Sequence, residues 1–258
     1  MMDLRFPTID LSDYKSRSQQ IRVLSETWLA REMYCPVCGN KKLAHYENNR
    51  PVADFYCESC KQDFELKSKG SPVGRIIADG AYKTAIRRIN SNSNPHLFVL
   101  NYHNSEVHSL VFIPKFFFVE SIIQKRPPLA ETAKRAGWEG CNIIYEDIPR
   151  IGKISIVTNK CERKPEEVFD AYRKAELLSV DKQEARGWLM DTLLCMEGIP
   201  DNTFSLDMMY AFESRLRELH PYNNNIRAKI RQQLQLLRDK GYIKFIGRGV
   251  YQKLGAAT

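Results

Sequence analysis

Apolar positions along this chain follow two rhythms, and the change falls near residue 180. In the first part, short β-branched and aromatic runs alternate with a few helical segments. Ile21, Leu24, Trp28 and Leu29 recur at helical spacing within Thr8–Tyr34, with Ser25, Glu26, Arg31 and Glu32 between them, and predict a helix. Val52–Tyr56 and Phe64–Ser68 read as strands. Leu97–Tyr102 and Val107–Ile113 read as a stronger pair, joined by the turn His103-Asn104-Ser105-Glu106. Asp79–Asn90 reads as a helix, apolar at Ala81, Ala85, Ile86 and Ile89 and basic at Lys83, Arg87 and Arg88, a face suited to solvent or to phosphate. Ser121–Gly140 is irregular, Ile154–Thr158 adds a strand and Pro165–Leu178 a helix. The pattern is α/β, a mixed central sheet flanked by helices.

After the polar segment Ser179–Gly187, the candidate linker, the rhythm becomes helical: Trp188–Met196, Leu206–Leu219 and Ile226–Lys240. Two short strands follow, Tyr242–Ile246 and Val250–Lys253, around Gly247-Arg248-Gly249. Three helices and a hairpin describe a winged helix-turn-helix, so domains are expected over 1–180 and 181–258. Ser205 is a candidate N-cap, with Met208, Met209 and Phe212 turned inward. In the third helix Ile226, Ile230, Leu234 and Leu237 form the buried stripe. At 100° per residue, Asn224, Ala228, Arg231, Gln232 and Gln235 face the other way. Asn, Gln and Arg pair bidentately with purine edges in the major groove, where helix-turn-helix folds place this helix. Arg248, at the wing tip, is suited to backbone phosphate or the minor groove.

The cysteines change the picture of the first part. Cys35, Cys38, Cys57 and Cys60 follow the spacing Cys-x2-Cys-x18-Cys-x2-Cys, which fits a four-cysteine zinc site. A closed four-thiolate shell has no open position, so this zinc is structural. Cys141, Cys161 and Cys195 are isolated and read as ordinary thiols; His96, His103 and His108 have no ligand spacing.

The second cysteine pair lies between acids. Asp54 precedes it, and Glu65 and Lys67 follow two apart on one strand, hence on one face. Two carboxylates suit magnesium, which polarises a scissile phosphate and lowers the pKa of an attacking water. Lys67 is placed to orient that water and offset charge at phosphorus. Taken alone, Asp-x10-Glu-x-Lys is a loose pattern. Glu26 and Glu32 could add a carboxylate, although nothing local demands it.

Charge then points to the partner. The formal net charge is +8. From Asn223 to Thr258 eight Lys/Arg face one acid, which places +7 of it in that segment and favours a polyanion. Trp138, in Lys134-Arg135-Ala136-Gly137-Trp138, is a candidate aromatic probe of DNA. No apolar run approaches a membrane span and Met1-Met2-Asp3-Leu4-Arg5 opens no signal-peptide core, so a cytoplasmic setting without membrane contact is expected.

Several runs carry a family resemblance over nearly the whole chain. They are Asn48-Asn49-Arg50-Pro51-Val52-Ala53-Asp54-Phe55-Tyr56-Cys57, Phe64-Glu65-Leu66-Lys67-Ser68-Lys69, Arg135-Ala136-Gly137-Trp138, and Ile230-Arg231-Gln232-Gln233-Leu234-Gln235 with Gly247-Arg248-Gly249. The chain resembles the methyl-adenine-dependent type II restriction endonucleases, PD-(D/E)xK nucleases with a C-terminal winged helix. The resemblance implies a PD-(D/E)xK core and Mg²⁺-dependent cleavage of double-stranded DNA at Gm6ATC sites methylated on adenine, leaving blunt ends. It implies that Asp54, Glu65 and the Leu66 carbonyl bind Mg²⁺, that Lys67 is the catalytic lysine, that Cys35, Cys38, Cys57 and Cys60 bind Zn²⁺, and that both domains engage the methylated sequence. The family's proline-aspartate dipeptide reads Ala53-Asp54 here. The methyl group needs a small apolar or aromatic pocket, for which Trp138 and the Ala228 face are the candidates. A monomer is expected in solution. With one catalytic set per chain, cutting both strands requires sequential nicking or transient pairing of two chains. The rival reading is a zinc-containing winged-helix DNA-binding regulator, with Asp54, Glu65 and Lys67 structural only.

Overall fold

A computed structural model describes residues 1–47 and 53–254; Asn48–Val52, where the Val52–Tyr56 strand was expected to begin, lie outside them. The first helix, α1 (Arg17–Glu32), is shorter than the apolar rhythm predicts, because Ser16 starts it with a capping box to Gln19. Ser25 and Glu26 are buried with Trp28 and Leu29, Ser25 donating to the Arg22 carbonyl and Glu26 meeting His45. Strands β1 (Ala44–His45), β2 (Phe55–Tyr56) and β3 (Asp63–Lys69) follow, then β4 (Ile76–Ala81) and α2 (Tyr82–Asn90). The helix expected from Asp79 therefore begins three residues later, and Asp79 lies in a strand. Ile76 and Ile77 are β-branched and compatible with an extended segment, and Ile77 packs into the core while Ile76 stays exposed.

Strands β5 (His96–His103) and β6 (Glu106–Ile113) form the expected hairpin. Asn104 and Ser105 both take positive φ, 47° and 59°, as a two-residue hairpin turn requires. Within the segment read as irregular, β7 (Ile123–Lys125) forms by pairing with β8 (Gly140–Ile144). Strands β9 (Ile154–Thr158) and β10 (Cys161–Glu162) and helix α3 (Pro165–Glu176) complete this half. The main sheet runs β1-β2-β3-β5-β6-β9-β10. Its β3–β5 pair is parallel and the others antiparallel, so it is a mixed sheet. A second sheet, β4-β8-β7, stands beside it.

The C-terminal half contains α4 (Gln183–Glu197), β11 (Thr203–Ser205), α5 (Leu206–Tyr210), α6 (Glu213–Leu219), α7 (Ile226–Asp239), β12 (Ile243–Gly247) and β13 (Val250–Lys253). Helix α4 starts inside the expected linker. Its Arg186, 5% exposed, donates to the Ile89 carbonyl and to Asn92 Oδ1 at the end of α2, which anchors it to the first half. The expected Leu206–Leu219 helix is broken at Ala211-Phe212 into α5 and α6. Ser205 caps α5 as expected, but Met208 lies on the solvent side with its sulfur against the Ser205 N–H, while Met209 is buried. A third strand, β11, joins the wing in the order β11-β13-β12. Among the described residues no helix is long and apolar enough to cross a membrane.

Candidate active site, metal centre and DNA-facing surface

The two cysteine pairs are built alike. Cys35 N–H donates to the Asn40 carbonyl and the Cys35 carbonyl accepts from Gly39; Cys57 does the same with Gln62 and Lys61. Each loop closes through a positive φ, 79° at Gly39 and 58° at Lys61. The four Sγ atoms lie within 4.8 Å of one another. Cys35 and Cys60 are 3.7 Å apart and Cys38 and Cys57 3.6 Å. A tetrahedral zinc with Zn–S of about 2.3 Å sets S–S edges of about 3.8 Å, so the donor set fits that ion. Burial pushes the Cys35 thiol up and takes Cys60 to about 11. Burial opposes ionisation at Cys57 too, yet the backbone N–H groups of Cys60 and Ser59 bring it down to about 7. A zinc ion would hold all four as thiolates.

The knuckle positions the acids. Cys57 follows β2 directly, and β2 pairs with β3 at Phe55↔Phe64 and Tyr56↔Asp63. Asp54, expected within that strand, lies instead in a bend just before it, because the ladder ends there. Its N–H still donates to the Phe64 carbonyl at 2.9 Å. Its Oδ2 then accepts the next N–H along that edge of β3, from Leu66, at 2.7 Å. In a strand the N–H and C=O of one residue leave on the same edge, so the Leu66 carbonyl emerges beside the Asp54 carboxylate.

Glu65 and Lys67 project together from one face of β3, as their spacing predicts. Lys67 Nζ lies 2.6 Å from Glu65 Oε1 and 2.8 Å from Asp79 Oδ1. The side chains are sunk but open, 24%, 26% and 16% exposed for Glu65, Lys67 and Asp79. Burial pushes the Glu65 carboxyl up, Asp79 adds to this, and Lys67 and Arg88 only partly oppose it. Burial alone would lower Lys67, but Glu65 and Asp79 raise it well above an ordinary lysine and keep it protonated. Asp79 is held below its usual range against burial by Lys67. A carboxylate in the state of Glu65 gains from any added cation. Its oxygens, those of Asp54 and the Leu66 carbonyl are hard donors of the kind magnesium takes.

Two members of this cluster carry no clear signal in the sequence. Asp79 was hidden in a segment read as helix. Arg88, read as part of a basic outer face, turns inward, where Glu65, Asp79, Asp63 and Asp54 all act on its charge. Glu26, which nothing local required, is buried near Asp54. Burial and then the Asp54 charge raise its carboxyl, while Arg22 and His45, at 3.7 and 3.2 Å, oppose this.

Trp138 is joined to this cluster through Arg126, which faces its ring and donates to the Asp79 carbonyl at 3.3 Å. Trp138 is half-buried and faced by two guanidinium groups, Arg135 at 4.6 Å and Arg126 at 5.6 Å from the ring centre. On α7, Ile226, Ile230, Leu234 and Leu237 are buried, and Ala228, Arg231, Gln232 and Gln235 are exposed together with Asn224 just before the helix. Arg248 is exposed at the wing turn. Tyr210, which carries no sequence signal, supports the start of α7. Its hydroxyl accepts from Arg231 at 2.7 Å, and Arg227 lies 4.8 Å over its ring.

Comparison with protein-family models gives two matches. The model DpnI, described as the Dam-replacing family, matches residues 2–181. The model DpnI_C, described as the Dam-replacing HTH domain, matches residues 184–253.

Proposed function

The chain belongs to the Dam-replacing family, and from that membership we propose that it is a methylation-dependent restriction endonuclease of PD-(D/E)xK type. It cleaves double-stranded DNA at Gm6ATC and leaves blunt ends. The observation that carries the reading is the meeting of Asp54 with the strand that bears Glu65 and Lys67, through the Leu66 N–H at 2.7 Å.

In this reading Asp54, Glu65 and the Leu66 carbonyl hold Mg²⁺. When bound, the ion supplies Lewis-acid polarisation of the phosphate and a lowered pKa for water. Lys67, held protonated by its two carboxylates, orients the attacking water and offsets charge developing on the phosphate oxygens. Water attacks phosphorus in line and gives a proton to solvent, the P–O3′ bond breaks, and the 3′-oxygen takes a proton from solvent and leaves as the hydroxyl. Cys35, Cys38, Cys57 and Cys60 hold Zn²⁺ that fixes the strands and does no chemistry. The exposed face Asn224, Ala228, Arg231, Gln232 and Gln235 reads the major groove, Arg248 contacts phosphate or the minor groove, and Trp138 approaches the methylated base from the catalytic domain. Domains over 1–180 and 181–258, a monomeric protein and a cytoplasmic setting belong to the same proposal.

The test uses Dam-methylated and unmethylated plasmid, each with Mg²⁺ or EDTA. Magnesium-dependent fragments from methylated plasmid alone support the reading. DNA that is retarded but intact in every lane supports a zinc-containing regulator instead.

A further inference from the structure

Lys67 has two carboxylate partners, and only Glu65 belongs to its own strand. The other, Asp79, comes from β4 in the smaller sheet and reaches Lys67 Nζ at 2.8 Å. Its aim is built into the backbone. Strand β4 opposes β8 with Asp79 facing Cys141, and the register slips between Asp79 and Ala81. An irregularity of this kind turns a side chain out of strict alternation. The carboxylate is also held from behind, since Oδ2 accepts from Cys141 Sγ at 3.8 Å. The Asp79 carbonyl accepts from Arg126 Nη2 at 3.3 Å. Oδ1 is thereby left to Lys67.

We infer that Asp79 is a positioning residue for Lys67, the partner that retains the ammonium once Glu65 turns to a divalent cation. The inference rests on the nuclease reading above. One ammonium shared by two carboxylates is held redundantly while Glu65 binds nothing else. It stops being redundant when the charge of Glu65 is shared with a cation, because that cation also repels Lys67. Lysine is a point charge on a flexible four-carbon stem, with rotamer entropy to regain if released. Asp79 stands on a separate sheet, so its hold does not depend on what Glu65 binds.

Three proteins in parallel test this: the full-length chain, Asp79→Asn and Asp79→Glu. Each is assayed on a short duplex with one methylated Gm6ATC site, at saturating Mg²⁺. Rates are normalised to DNA-binding-competent protein measured in EDTA, so partial unfolding cannot imitate the effect. Asp79→Asn keeps shape and loses charge. Its kcat should fall roughly a hundredfold, the scale of a misplaced catalytic group, with KM and binding in EDTA unchanged. Asp79→Glu should recover much of the rate. An Asp79→Asn rate within about twofold of the parent overturns the inference, and so does a loss of equal size in Asp79→Glu. If the parent itself leaves the methylated duplex intact, the nuclease reading falls and this one with it. If the parent cuts and Asp79→Asn cuts equally, only this one falls.

Discussion

Asp54 accepts the Leu66 N–H at 2.7 Å, in the place where β2, had it continued, would have met β3. A strand edge thus exchanges a backbone partner for a carboxylate and brings an acid onto the strand of Glu65 and Lys67. Asp54→Ala should bind methylated duplex normally and fail to cut it. The change also leaves the Leu66 N–H without its partner, at a cost of about 1–3 kcal/mol if water does not replace it. Asp54→Asn keeps an acceptor there, so it should regain most of that stability and none of the activity. Gel retardation, cleavage and thermal melting of the three proteins together check the separation.

The knuckle and the acid are joined by sequence as well as by the sheet, because Cys57 lies three residues after Asp54. Removing zinc with a strong chelator, or substituting Cys57→Ser, should abolish cleavage through loss of the β2–β3 hairpin. Magnesium should not restore it, and zinc returned to the chelated protein should. Metal content measured beside activity is the check. Zinc-free protein cutting at the parent rate would remove zinc from the account.

His96, read from sequence as incidental, titrates with folding. It is buried at 1% exposure against Phe64 and Phe112, and its Nδ1 accepts the Lys115 N–H at 3.2 Å. Burial, helped by the Lys115 charge, takes its pKa down to about 3 from an unfolded 6.5. The unfolded chain therefore binds more protons between these values. The stabilising effect is complete above about pH 6.5 and is lost as pH falls toward 3, at about 1.4 kcal/mol per pH unit. Urea midpoints should fall steeply below pH 6, and less steeply in His96→Gln. Parallel slopes would contradict the assignment.

On the DNA-facing side, Arg231→Ala should weaken binding to the methylated site by about 1–3 kcal/mol if it makes a bidentate base contact. Binding to unrelated duplex should weaken less. Tyr210→Phe removes the hydroxyl that accepts from Arg231 and should show a smaller loss of the same kind. Fluorescence titration on both duplexes at fixed salt measures the difference. Equal losses on both would make Arg231 a phosphate contact.

How much the sequence shows follows from how local each signal is. The knuckles, β3 and the inner stripe of α7 are each written within a few turns or one strand, so their patterns can be read directly. The capped start of α5 at Ser205 is local in the same way. Asp79 is not, because its strand forms only by pairing with β8, some sixty residues on, and its partner Lys67 lies on another sheet. Arg88 looks like solvent-facing charge until the acids around it are placed. Tyr210 gains meaning only where the break at Ala211-Phe212 sets α5 against α7.

In the proposed nuclease, Asp54, Glu65 and Lys67 form one metal-dependent site acting on methylated DNA. The most direct measurement is cleavage of a defined duplex with a single GATC, adenine-methylated or not, by the parent protein and by Asp54→Ala, with products mapped to the nucleotide. With Mg²⁺, the parent should cut only the methylated duplex, leaving blunt ends within GATC, while Asp54→Ala should bind it intact. Cutting by Asp54→Ala at the parent rate, or equal cutting of the unmethylated duplex, would contradict the proposal.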